Sequence, residues 1–319
     1  MFLCALLLTS ISAFAQTTEH VETVRVDSDL VDLQVSVLSH ASPNPPALRQ
    51  SDFVVLEDGI PQEIAFFEAS DTPFDLVLLL DLSGSIADKL KLVRRSAKRF
   101  VEAARPFDRI AILTFTDRVV VVSQLTSDRT ESKRAIDDIE KPNGGTNFWD
   151  ALHYVLRVVT RPGAASRRSA VVVMTDGVDN ALPDVFGEGS QTTFEELTSV
   201  AKRTSTIIFP IYLDTEKEEI KRHRNPASAF VMARDQLAQL ADASGTIVYR
   251  AQRIEDLKDV YVRVMRDLGT VYSIGYRPKS SMRDGKWHEV KVQLVNHPEL
   301  GTRTKSGYYA KTLASDSPK

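Results

Sequence analysis

Five short apolar runs, at 76–80, 110–115, 171–174, 207–213 and 247–249, are separated by longer stretches in which apolar residues recur at helical spacing. A run without polar alternation reads as a strand buried on both faces, the condition of a parallel sheet covered by crossover helices. Between the first two runs, Leu90, Val93, Ala97, Val101 and Ala104 form such a helical stripe. Similar helices are expected at 132–139, 149–159, 194–202, 231–241 and 254–268. This alternation specifies an α/β fold with a doubly wound, mostly parallel sheet. Pro210 interrupts one run, which places that part of the strand near the sheet's edge or at a bulge.

On either side of this region the period changes to two. Val31, Leu33, Val35 and Val37 alternate with Asp32, Gln34 and Ser36, and a loop follows at Pro43-Asn44-Pro45-Pro46. Residues 53–56 and 64–67 then read as a hairpin around Asp58-Gly59, a pair that favours positive backbone angles. Behind the helices, Tyr272, Ile274 and Tyr276 alternate, as do Val290, Val292 and Leu294, with a turn at Asp284-Gly285. Neither flank has enough strands to bury an apolar face alone, so the two are expected to meet in one small β-domain. The expected organisation is a signal peptide at 1–15, an N-terminal β-region at 16–72, the α/β domain at 73–268, and a C-terminal β-region at 269–319 packing with the N-terminal one.

The formal charge of −3 gives no broad basic field for a phosphate backbone, so nucleic acid is not an expected partner. The apolar stretch at 1–15 is too short to span a bilayer. It ends in Ala13-Phe14-Ala15 before polar Gln16 and Thr17, a small-x-small cleavage pattern, although the usual leading Lys or Arg is missing. The single cysteine, Cys4, lies inside it, which leaves a mature chain without disulfides, thiol catalysis or cysteine-based zinc sites. No later apolar run reaches transmembrane length, and the expected product is exported, either periplasmic or extracellular.

Asp81-Leu82-Ser83-Gly84-Ser85 follows directly on the first buried run, where ligands bind in open α/β sheets. Alternate residues on a tight turn can aim one carboxylate and two hydroxyls at one point, a hard-oxygen set suited to Mg2+ or Mn2+. Asn143-Gly144-Gly145-Thr146-Asn147 forms a glycine-rich loop further on, and Thr175-Asp176-Gly177 follows the third run. The glycines permit a tight loop that presents Thr146. They do not fit a phosphate-binding pattern of G-x-x-x-x-G-K-S/T or G-x-G-x-x-G.

In these motifs the chain closely resembles the von Willebrand factor A family with its metal-ion-dependent adhesion site, over roughly 74–268. The family pattern is D-x-S-x-S, a later Thr and a later Asp in T-D-G, all present here in order. The resemblance implies a Rossmann-like fold and carries Asp81, Ser83, Ser85, Thr146 and Asp176 over as ligands of Mg2+ or Mn2+. Two carboxylates at most neutralise a divalent ion, and the hydroxyls add no charge. The ion therefore stays electrophilic, with a position for an outside oxygen. The implied function is adhesion: the cation holds an Asp or Glu carboxylate of a protein partner. The flanks bear a looser likeness to exported bacterial proteins that frame such a domain with β-strands.

Two other readings stand beside this one. In the first, the β-domain makes structural or assembly contacts and the metal only stiffens loops. In the second, the site is a metal-dependent hydrolase. The sequence offers the second little support. It has no H-E-x-x-H or G-x-S-x-G, and Ser83 stands where an aspartyl-phosphate phosphatase would need an acid. His20, His40, His153, His223, His288 and His297 are scattered without metal spacing. The chain is therefore read as a non-enzyme. Asp179 and Asn180 are read as turn residues, with an outer-shell role as the alternative. The basic residues from Lys89 to Arg99 are read as a solvated helix face, and 216–224 as an exposed loop or helix tip.

Overall fold

The computed structural model describes residues 30–39, 46–84, 86, 89–141, 144–160, 167–222, 224–279 and 284–310. The signal segment expected at 1–15 lies outside them, as does Ser85. In chain order the strands are β1 (Val31–Ser39), β2 (Phe53–Glu57), β3 (Ile60–Gln62), β4 (Ile64–Glu68), β5 (Phe74–Asp81), β6 (Arg109–Phe115), β7 (Val119–Thr126), β8 (Arg168–Thr175), β9 (Ile207–Leu213), β10 (Tyr249–Ala251), β11 (Val271–Tyr276), β12 (Trp287–Leu294), β13 (Leu300–Arg303) and β14 (Gly307–Tyr309). The helices are α1 (Leu90–Ala103), α2 (Arg129–Asp137), α3 (Phe148–Tyr154), α4 (Phe194–Arg203), α5 (Glu216–Lys221), α6 (Ala227–Ser244) and α7 (Leu257–Leu268).

Six strands form the central sheet in the order β10-β9-β8-β5-β6-β7, parallel except for β7. Alternate side chains of β5 enter two different cores. Leu76, Leu78 and Leu80 pack with Val93, Ala97 and Phe100 of α1 and with Val260, Tyr261 and Val264 of α7. Val77 and Leu79 pack with residues of α3, α4 and α6, among them Leu152, Leu197 and Leu237. Each fully buried Leu contributes about 1.5–3 kcal/mol relative to exposure, so the apolar runs hold the strand ends in fixed positions. β10 pairs with β9 only from Ile211 onward, so Pro210 lies where β9 is still the sheet's edge.

The flanks make two antiparallel sheets, ordered β13-β1-β11-β4 and β14-β12-β2-β3, and each mixes N- and C-terminal strands. Leu33 lies opposite Ile274 in one, and Val55 lies opposite Val292 in the other. Their inner faces share one core, in which Phe53, Phe67 and Tyr272 meet at ring separations of 5.1–5.7 Å. Chain segments more than 200 residues apart thus bury each other's apolar faces, as the short flanks require.

Some details differ from expectation. β7 was not foreseen. Its alternation is imperfect, and at the sheet's edge Val120 and Val121 stay exposed. α2 begins at Arg129 because the Asp128 side chain accepts from the Thr130 and Glu131 amides and caps the helix there.

Candidate metal centre

The site is built where β5, β6 and β8 end side by side. Asp81 is the last residue of β5 and is fully buried. Its Oδ1 accepts the Ser83 amide at 2.8 Å, which turns the chain back on itself. Its Oδ2 accepts the Thr175 hydroxyl from the end of β8 at 2.6 Å. Asp176, one residue beyond β8, is also buried; its Oδ1 accepts the Val178 amide at 3.2 Å and its Oδ2 the Thr215 hydroxyl at 2.7 Å.

Backbone bonds bring the Thr146 loop to the same end of the sheet. The Leu82 amide donates to the Phe115 carbonyl at 3.0 Å, and the Asn147 amide donates to the Thr116 carbonyl at 2.8 Å. On the other side the Asn180 amide donates to the Thr146 carbonyl at 2.9 Å. The loop passes so close to its neighbours that a Cβ on Gly145 would sit 2.3 Å from Asn180 Nδ2, and one on Gly144 would sit 2.9 Å from Asp117 Oδ1. Gly144, at φ 156°, holds a backbone angle that L side chains rarely adopt, whereas a side chain at Gly145 would have to displace the Asn180 amide; Thr146 itself is buried.

Of the five expected ligands, Asp81, Ser83, Thr146 and Asp176 lie among the described residues, all of them buried at this end of the sheet. Ser85 falls outside the described residues. Burial, and then the charge of Asp176, push the Asp81 carboxyl up to about 7, against the opposing pull of the Ser83 and Thr175 donors. Two carboxylates are thus held together out of water, ringed by hydroxyl and amide groups. That donor set is all oxygen with a surplus of negative charge, and it fits a hard divalent cation.

Three contributors were not recognised in the sequence. Thr175 and Thr215 orient the two carboxylates, and Thr215 follows β9, so only the sheet order reveals it. Glu219 of α5, read as exposed, is buried: burial raises its pKa, Arg224 lowers it and Asp176 raises it further. Arg224 Nη1 in turn reaches the Gly84 carbonyl at 3.3 Å.

Asp179 does more than shape a turn. Fully buried, it accepts the Ala181, Ser190 and Trp149 amides at 2.8, 3.1 and 3.0 Å and the Ser190 hydroxyl at 2.6 Å. The bond from Trp149 caps α3, whose own N-cap residue Asn147 makes no side-chain cap. Trp149 is buried and packs on Phe194 at 5.9 Å, as a core aromatic.

The sequence profile of the von Willebrand factor type A domain matches residues 75–263. The chain is 29% identical to the collagen alpha-1(VI) chain of Gallus gallus over 115 residues, which are 33% of this chain and 11% of that one. It is 24% identical to a UPF0353 protein of Mycolicibacterium gilvum over 207 residues, 61% of this chain and 60% of the relative. The chain thus spans less than two thirds of the length of either relative. Among solved structures it is similar to the von Willebrand factor type A protein of Catenulispora acidiphila, at 14% identity and a TM-score of 0.47, over 84% of this chain and 65% of that one. It is also similar to proximal thread matrix protein 1 of the mussel byssus with a zinc-occupied MIDAS motif, at 19% identity and a TM-score of 0.49, over 65% and 48%.

Proposed function

The chain belongs to the von Willebrand factor type A domain family, and from that premise we propose that it is an exported binding protein that captures a protein partner's carboxylate through a divalent cation. Asp81, Ser83, Ser85, Thr146 and Asp176 would hold Mg2+ or Mn2+, within an α/β domain at 73–268. When bound, the cation supplies an electrophilic position that an outside Asp or Glu oxygen can fill.

The observation that carries this reading is the buried pair of carboxylates at the ends of β5 and β8, with the Asp81 carboxyl raised by burial and by Asp176. Holding two such groups together costs folding stability, and a cation between them removes that cost. The residues around the pair prepare it: Thr175 and Thr215 fix the carboxylate orientations, and Asp179 fixes the loop behind Thr146. The work assigned to these groups is orientation and charge placement, which is binding and not turnover.

Calorimetry of the chain with MgCl2 and then MnCl2 tests the first step. Saturable binding of one ion, lost in Asp81→Ala and weakened in Thr146→Ala with the fold intact by circular dichroism, is expected. A folded chain indifferent to both ions would overturn the reading.

A further inference from the structure

The geometry points to a second metal site, for a borderline divalent ion such as Zn2+, formed by Glu57, Asp58 and His288 where the two flanks join. Among the described residues, one histidine nitrogen and two carboxylate oxygens converge here to within 4.8 Å of one another. Glu57 ends β2, and Asp58 opens the hairpin turn with φ 48°. Neighbouring residues on a strand send their side chains to opposite faces. Asp58 escapes that rule because its positive φ turns the chain, and both carboxylates reach His288 on β12.

His288 Nδ1 lies 2.8 Å from Asp58 Oδ2 and 3.9 Å from Glu57 Oε1. A proton on Nδ1 accounts for the first distance, since it can be shared with Asp58. It does not account for the second, which is beyond hydrogen-bond reach and leaves Glu57, almost wholly buried, directed at the ring. A zinc ion, with bonds of about 2.0–2.2 Å to nitrogen and carboxylate oxygen, would take all three groups as ligands once Nδ1 and Asp58 Oδ2 open from 2.8 Å to the roughly 3.3 Å of tetrahedral ligation.

The surroundings are those that a metal's ligands need. Glu57 Oε2 accepts the Tyr276 hydroxyl at 2.6 Å and the Tyr308 hydroxyl at 3.0 Å, which leaves Oε1 as the oxygen facing His288. The imidazole stacks on Tyr308 at 5.6 Å. Its far nitrogen, Nε2, lies 3.6 Å from Asp284 Oδ1, beyond hydrogen-bond reach, so Asp284 places a negative charge behind the ring without fixing its tautomer. Asp58 is half exposed, so water can complete the coordination. A nitrogen beside two carboxylates selects Zn2+ over the all-oxygen preference of Mg2+ or Ca2+, and the formal charges cancel. The ion would tie β2 of the N-terminal flank to β12 of the C-terminal flank.

The test uses the full chain carrying Asp81→Ala, which disables the site proposed above. After equilibration with ZnCl2 and gel filtration, one zinc per chain by elemental analysis and a raised melting temperature are expected. Adding His288→Gln, or separately Asp58→Asn, removes both effects; each substitution keeps a hydrogen-bonding side chain, so either folded variant suffices. Co2+ in place of zinc gives a visible absorption band that depends on His288. An Asp81→Ala chain that holds no zinc, or zinc retained undiminished in a folded His288→Gln or Asp58→Asn variant, overturns the proposal.

Discussion

The Thr175 hydroxyl donates to Asp81 at 2.6 Å and accepts the Gly177 amide at 2.8 Å. Its single proton is committed to the carboxylate, and its lone pair shapes the turn that carries Asp176. Thr175→Val keeps the shape and removes both bonds. A loss of about 1–3 kcal/mol in urea denaturation is expected, because a charge-assisted bond goes and a buried amide is left unpaired. Mg2+ affinity falls as well, since Asp81 then binds its proton more tightly. Unchanged stability would show that the hydroxyl does not hold the carboxylate.

The Asp81 carboxyl, raised from 3.8 to about 7, ties stability to pH in a definite direction. Its proton is bound more tightly in the folded chain, so its contribution is fully present below pH 3.8 and is lost as pH rises through about 7. Compared with Asp81→Asn, the metal-free wild type should therefore match it near pH 3.5 and fall behind by a few kcal/mol, as an order of magnitude, by pH 8. Saturating Mg2+ should restore the wild type at pH 8 and leave Asp81→Asn unmoved. A stability difference independent of pH would show that burial and Asp176 do not raise the Asp81 carboxyl.

Asp179 gathers four donors from three segments, so its removal should reach further than an ordinary turn substitution. Asp179→Ala leaves the Trp149 amide at the start of α3 and the Ser190 amide without their acceptor. At about 1–3 kcal/mol for each unsatisfied buried group, a loss of roughly 3 kcal/mol or more is expected by thermal or urea unfolding. Hydrogen exchange should quicken at the first turn of α3, beside Thr146, and Asp179→Asn should fall between the two. A loss under about 1 kcal/mol would reduce Asp179 to local turn chemistry.

The sheet was legible because its strands are apolar on both faces, a pattern that few other folds tolerate. β5 and β8 stand where the first and third runs lie, and the motif residues stand at their ends. What escaped the sequence depends on which strands are neighbours. Thr215 reaches Asp176 only because β9 lies beside β8, and His288 meets Asp58 across 230 positions of chain because β12 pairs with β2. The histidines lacked metal spacing along the chain, yet pairing supplies in space the proximity that linear spacing could not. Glu219 was misread for a related reason. Most of its neighbours in sequence are charged, and its burial comes from the packing of α5 beside the site.

The Tyr261 hydroxyl offers a last test, of packing and not of the site. The side chain, on α7, is fully buried with its ring edge-on to Phe100 of α1 at 5.3 Å, and its oxygen has no hydrogen-bond partner among the described residues. The surrounding cluster is made almost wholly of aliphatic and aromatic side chains, so desolvating the hydroxyl goes uncompensated and burial pushes its pKa up. Tyr261→Phe deletes the oxygen and keeps the ring, so the apolar contacts and the edge-on pair with Phe100 remain. A stability gain of about 1 kcal/mol is expected, read as a higher urea midpoint with an unchanged slope. The removed atom leaves only a small void, which offsets part of that gain. A loss of stability instead would mean that the hydroxyl has a partner, such as an internal water, and would place a polar pocket beneath α7.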